Sequence, residues 1–156
     1  MKEKQTHSIK LESSCKITDE ICLPDTKLPR VVIVGGGFAG LALVEKLKHK
    51  EDQVVLLDKN NFHQFQPLLY QVSTGGLEPD SIAYPIRKVL KDFPNFYFRL
   101  ANVSEINTEK NKVITDIGNL KFDYLVVASG SKTNFFGNAS IEANSMEMKT
   151  IPQSLN

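Results

Sequence analysis

The feature that most constrains the fold is a glycine-spaced turn set between two apolar runs. Val31-Val32-Ile33-Val34 leads directly into Gly35, Gly37 and Gly40, the G-x-G-x-x-G spacing, and a helical stretch from about Phe38 follows. A second apolar run, Val54-Val55-Leu56-Leu57, then ends in Asp58, eighteen residues beyond Gly40. Strand, turn, helix, strand and acid in that order spell a βαβ unit opening a parallel sheet in an α/β fold. The same order favours a turn that holds a dinucleotide over a glycine-rich turn that binds nothing.

Each residue type answers a physical need. A sharp passage from strand to helix calls for a residue without Cβ at Gly35, and Gly40 lets the helix settle closely on the strands. At Gly37 the missing side chain lets a diphosphate lie against the main chain. The helix start at Phe38 and Ala39 turns unpaired N–H groups and the positive end of the helix dipole toward the phosphates, worth about 0.3 to 1 kcal/mol. Asp58 accepts hydrogen bonds from an adenosine ribose and would repel a 2′-phosphate. The expected ligand is therefore an adenine dinucleotide without that phosphate.

A chain of 156 residues is one domain's worth of material, able to bury about 68 to 70% of its unfolded surface. A formal charge of +1, with 24% charged residues, provides neither a basic stripe for nucleic acid nor an acidic tail, so no nucleic-acid partner is expected. Cys15 and Cys22, the only cysteines, both precede the first strand at a spacing unlike a zinc or redox pair. They read as free thiols in a reducing interior. No run approaches the ~20 apolar residues of a spanning helix, and the polar N-terminus is unlike a signal peptide, so the chain is expected to be soluble. Residues 1–29 show no sustained period and read as a flexible extension, a targeting or docking segment being the alternative. His7 within it needs no role.

The connection Asn60 to Asp80 leaves the carboxyl end of the second strand, where open α/β sheets bind their ligands. Phe62, Phe65, Leu68, Leu69 and Tyr70 are placed either to wall a flat ring system or to cover the sheet edge, and composition favours the cover. His63 reads as a packed or solvent-facing histidine rather than a base. Asp80 or Ser81 is expected to cap a helix to about Asp92, with Pro85 in or near its first turn and Ile82, Ile86, Val89, Leu90 and Phe93 on its apolar face. Phe96 to Leu100 then returns as a parallel strand. The following stretch alternates, with breaks at Glu109 to Asn111 and Gly118-Asn119, and predicts a three-stranded antiparallel meander. Tyr124 to Ala128 is again near-continuously apolar and is expected to be buried in the main sheet, ending at Ser129-Gly130 beside the ligand. Polar sequence follows from Asn138, then Thr150 and Pro152 mark a helix start. The chain stops before that helix can form, so it is expected to be a truncated piece of a longer protein.

Four stretches together carry a family resemblance: VVIVGGGFAG at Val31 to Gly40, Asp58-Lys59, FQPLLYQV at Phe65 to Val72, and FDYLVVASGSKTNFFG at Phe122 to Gly137. On them the chain resembles the N-terminal FAD-binding part of a type II NADH:quinone oxidoreductase, a flavoprotein with two dinucleotide-binding folds. The glycines and the acid are shared by many flavoproteins, whereas FQPLLYQV and SGSKTNFFG are much narrower.

The resemblance implies a Rossmann-like FAD-binding domain over residues 30–137, incomplete, with residues 138–156 beginning the connection to a missing NADH-binding domain. It places the FAD diphosphate against Gly35, Gly37, Phe38, Ala39 and Gly40, the ribose on Asp58, and the adenine near Lys59 and the backbone of Val103. Gln66, Pro67, Ser73 and Thr74 approach the isoalloxazine, while Ala128, Ser129 and Gly130 flank the middle of the cofactor. Ser129 stands where the family commonly has threonine and keeps the hydroxyl. The implied reaction passes electrons from NADH through FAD to a membrane quinone, with no catalytic side chain and no metal in this piece, because the flavin carries the chemistry. A cytoplasmic protein is implied, peripheral to the inner face of the membrane through a C-terminal region absent from this sequence, and a homodimer stays open. Two alternatives remain. One is a related sulfide:quinone or disulfide reductase, whose flavin-side cysteines have no counterpart after Cys22. The other is a non-catalytic fragment that binds FAD weakly or not at all.

Overall fold

A computed structural model describes residues 19–91 and 93–155. The elements β1 (Arg30–Val34), α1 (Phe38–Leu47) and β2 (Gln53–Asp58) form the expected βαβ unit. After it come β3 (Phe62–Gln64), α2 (Leu69–Ser73), β4 (Ala83–Pro85), α3 (Ile86–Val89) and β5 (Phe96–Leu100), with 3-10 turns at Gln66–Leu68 and Pro79–Ile82. The chain continues through β6 (Val103–Asn107), β7 (Lys112–Thr115), β8 (Gly118–Lys121), β9 (Tyr124–Val127), α4 (Ala139–Asn144) and α5 (Ile151–Ser154).

The main sheet is parallel, in the order β5-β2-β1-β9. Its apolar runs are continuous because both faces are covered. Val31, Ile33, Val54, Leu56 and Phe98 face Val44 of α1 together with Ile86 and Leu90. Val32, Val55 and Leu57 face the other way, onto Ala101, Val113 and Leu120 of the meander side. At about 1.5 to 3 kcal/mol for each fully buried Val, Leu or Ile, these two layers supply the main stabilisation of the sheet. The meander β6-β7-β8 is antiparallel, as the alternation predicts. Its second turn lies at Asp116-Ile117 instead of Gly118-Asn119, since Thr115 Oγ1 donates to the Gly118 carbonyl at 2.6 Å and accepts from the Ile117 N–H at 3.2 Å.

Several expectations are corrected. The single helix expected from Asp80 to Asp92 is a 3-10 turn, a short strand and the four-residue α3. Pro85 holds φ −61° and ψ 121°, and a proline pushes the residue before it toward extended backbone. Ala83–Pro85 is therefore extended and pairs antiparallel with Phe62–Gln64. The long connection after β2 is accordingly an ordered hairpin and not a loop. Tyr124 to Ala128, expected to be buried, forms an edge strand: β9 pairs only with β1 among the described residues, and Tyr124 is 62% and Val127 58% exposed.

The flexible extension expected over residues 1–29 does not reach Pro29, although Met1 to Thr18, including His7 and Cys15, lie outside the described residues. Ile21 is buried in the meander-side core, its N–H donates to the Asn119 carbonyl at 2.8 Å, and the Asn119 N–H donates to Asp19 at 2.6 Å. The buried Gln53 donates to the Pro24 carbonyl at 2.9 Å, fixing the approach to β1. At the other end, Asn138 caps α4, and Thr150 caps α5 as expected, so that a first helical turn does form. Ile151 packs with Leu69, Val72 and Ile82.

Truncating Ile21 to alanine is expected to cost about 2 kcal/mol or more, seen as a lower urea midpoint. An unchanged midpoint would mean that the segment ahead of β1 is not docked.

Candidate functional site

The glycine turn, Asp58 and Ala128 to Gly130 lie where β1, β2 and β9 end. Gly35 follows β1 with φ +109°, and its N–H donates to the Leu57 carbonyl at 2.8 Å. A side chain there is excluded twice, by the positive φ and by the Ala128 carbonyl oxygen, 2.3 Å from where a Cβ would sit. A Cβ at Gly40 would lie 1.9 Å from the Gly35 oxygen. Gly35 and Gly40 are thus explained by contacts within the chain.

Gly37 is different. Its φ of −78° and ψ of −166° suit any residue, and a Cβ placed on it meets nothing within 4 Å. Nothing among the described residues requires glycine at this position, whereas an anionic ligand lying on the main chain would require it. Gly37 is the N-cap of α1, where no side chain caps the helix and no acid stands in the first turn. The N–H groups at Phe38 and Ala39 are consequently presented to solvent at the positive end of a ten-residue helix. A dinucleotide diphosphate fits this cradle.

Asp58 closes β2 beside the turn. Its Oδ2 accepts from the Gly36 N–H at 2.5 Å and its Oδ1 from the Asn60 N–H at 2.7 Å. Each carboxylate oxygen has a second lone pair, so a ribose can still be accepted. Lys59 follows, exposed. Val103 and Ser129 come together in a cleft of about 240 Å³, with Val34, Ser104, Glu105, Ile106 and Val127 completing its walls. Ala128 and Gly130 bracket Ser129, and Gly130 has φ +75°.

Gln66 and Pro67 lie in the 3-10 turn before α2, and Gln66 Nε2 reaches the Lys149 carbonyl at 3.4 Å. Ser73 and Thr74 end α2 with their hydroxyls donating back to the Tyr70 carbonyl, at 2.9 and 3.0 Å, and no hydrogen bond joins either to the glycine turn among the described residues. Of the apolar residues after β2, Leu69 is buried as cover, while Phe65 stays 42% exposed, its ring edge to face at 5.5 Å with that of Phe38 in α1, itself 48% exposed.

Sequence reasoning read His63 only as a packed or solvent-facing side chain and missed Gln64. His63 Nδ1 lies 3.1 Å from the Gly36 carbonyl oxygen, its ring 4.9 Å edge to face with Phe38. Gln64 donates to the Lys149 carbonyl at 2.6 Å and accepts from the Ile151 N–H at 3.3 Å, holding the chain ahead of α5 against β3. The usable signal was the extended FHQ triplet, legible only together with its partner AYP, which begins twenty-one positions later.

Comparison with known proteins fits this geometry. The family model for pyridine nucleotide-disulphide oxidoreductases matches residues 29–154. The chain belongs to that family. A type II NADH:quinone oxidoreductase of Mycobacterium tuberculosis is 37% identical over 130 residues, covering 81% of this chain and 28% of the relative. One from Staphylococcus aureus is 33% identical over 127 residues, covering 78% and 31%. The resemblance to type II NADH:quinone oxidoreductases is thereby borne out, and this chain spans 28 to 31% of the length of those relatives.

Among solved structures, the sulfide:quinone oxidoreductase of Aquifex aeolicus superposes with TM-score 0.74 at 28% identity, covering 81% of this chain and 30% of that one. The NDH2 of Plasmodium falciparum, solved with NADH, gives TM-score 0.73 at 24% identity over 83% and 28%, and shows a shared fold. Membership of the family implies a flavin cofactor. No helix among the described residues is long and apolar enough to cross a membrane.

The two kinds of glycine separate experimentally. Gly40→Ala is expected to destabilise the chain by about 3 kcal/mol through overpacking, whereas Gly37→Ala leaves stability unchanged or slightly raised. Paired thermal melts check this, and equal losses would contradict the geometry of the turn.

Proposed function

We propose that this chain is the FAD-binding segment of an NADH:quinone oxidoreductase. The observation that carries the reading is Gly37, where a Cβ would meet nothing within 4 Å among the described residues, at an uncapped helix start. In this reading the N–H groups of Gly37, Phe38, Ala39 and Gly40 receive the diphosphate, with Gly35 forming the turn. Asp58 takes the adenosine ribose, and Lys59 and the Val103 backbone border the adenine. Ala128, Ser129 and Gly130 line the middle of the cofactor. Gln66, Pro67, Ser73 and Thr74 approach the flavin ring, with no side chain acting as acid, base or nucleophile. Bound FAD supplies the redox chemistry, taking electrons from NADH and passing them to a quinone. Peripheral membrane attachment through a C-terminal region outside this sequence, and a possible homodimer, go with the same reading.

The Aquifex aeolicus neighbour favours a second reading, a sulfide:quinone oxidoreductase segment. That chemistry uses cysteines near the flavin, and no cysteine follows Cys22 in this sequence. Cys22 precedes β1, and its carbonyl accepts from Arg99 of β5 at 2.8 Å.

FAD titration of the purified chain, followed by flavin fluorescence, tests the first reading. Gly37→Val is expected to abolish binding by blocking phosphate approach. Asp58→Ala is expected to weaken binding by about 1.5 to 3 kcal/mol, the worth of a hydrogen bond to a charged group. Wild-type affinity in both variants would remove the diphosphate and ribose assignments.

A further inference from the structure

The glycine turn contains two successive peptide groups with no side chain to steer them, yet each is gripped from outside. Asp58 Oδ2 accepts the Gly36 N–H. In a trans peptide the N–H and the preceding C=O point in opposite directions, so this grip turns the Gly35 carbonyl away from Asp58, toward α1, where its oxygen meets Gly40. His63 acts on the next peptide by the same rule. Its Nδ1 holds the Gly36 carbonyl oxygen at 3.1 Å, which aims the Gly37 N–H away from the imidazole. That N–H has no acceptor among the described residues, and Gly37 is exposed although Gly36 is buried.

The histidine is itself firmly held. Its strand is fixed by the β3–β4 pairing, with Phe65 N–H on the Ile82 carbonyl at 2.8 Å and Ile86 N–H on the Asn61 carbonyl at 3.0 Å. Its ring stands edge to face with Phe38 at an interplanar angle of 85°. Because a carbonyl oxygen only accepts, the Nδ1 atom must carry the hydrogen.

We propose that His63 is a positioning residue for anion binding: by holding the Gly36 carbonyl it presets the Gly37 N–H as a donor to a phosphate oxygen of the dinucleotide. The proposal rests on the FAD reading of the site. It adds a histidine that touches no ligand and acts through one peptide plane. Preorganisation is the benefit, since a free Gly-Gly peptide would otherwise have to be ordered when the cofactor binds.

Three variants and one spectrum test it. His63→Phe keeps an aromatic ring beside Phe38 and removes the donor. His63→Asn offers an amide N–H near the place of Nδ1, and His63→Gln carries its amide one carbon too far. FAD affinity is expected to fall about five- to tenfold in His63→Phe and His63→Gln, the loss of one neutral hydrogen bond, and to recover in His63→Asn. A purely structural role would instead follow the melting temperatures of the variants. Nitrogen-15 spectra of the wild-type imidazole should place the hydrogen on Nδ1 in the neutral ring. Wild-type affinity in His63→Phe, or a neutral ring with its hydrogen on Nε2 alone, would overturn the proposal. If the wild type binds no FAD, the cofactor reading fails and the phosphate role falls with it, while the spectrum still decides whether His63 holds the peptide.

Discussion

The structure depends on one close meeting of main chain with main chain. Three backbone segments converge at the end of β1: the Gly35 turn, the first turn of α1 at Gly40, and the Ala128 carbonyl beyond β9. Contacts this short leave no volume for even a methyl group. Their consequence reaches past packing, because they bring the start of α1 to the carboxyl ends of the parallel strands. Helix dipole, free N–H groups and strand ends therefore share one mouth, which is where open α/β sheets take their ligands.

Around that meeting the side chains act as clamps. Asp58 from the end of β2 and His63 from β3 hold the two faces of Gly36, and Ile86 lies beneath it, 2.6 Å from where a Cβ would project. The His63 and Ile86 positions rely on the hairpin of β3 and β4, whereas Asp58 is set by β2 within the parallel sheet. Had residues 80–92 formed one continuous helix, β3 would have had no partner and the imidazole no fixed base. The same hairpin, through Gln64, anchors the chain ahead of α5. A segment that reads as a loop in isolation is thus part of the frame of the site.

Fold and function rest on different observations. The solved neighbours share this architecture at 24 to 28% identity, and an architecture of this kind supports many reactions. What narrows the reading is local: the glycine at position 37 and the FQPLLYQV and SGSKTNFFG stretches. These coincide with relatives that are NADH:quinone oxidoreductases.

The βαβ unit, the acid at its end, the meander and the helix start at Thr150 were legible in the sequence, because glycine spacing, apolar runs, alternation and capping residues act within a few positions of one another. Three things were not. That Tyr124 to Ala128 lies at an edge depends on how many strands flank it, which no apolar run encodes. The docking of Ile21 depends on a meander a hundred residues away. The fate of Ala83 to Pro85 turned on a competition between local helix pattern and a distant extended partner, and the distant partner won. His63 shows the limit most clearly: its residue type was visible, but its role exists only where tertiary packing sets an imidazole nitrogen against a carbonyl 27 positions earlier. Local chemistry determined what the turn can bind, and long-range packing decided how its peptides are aimed.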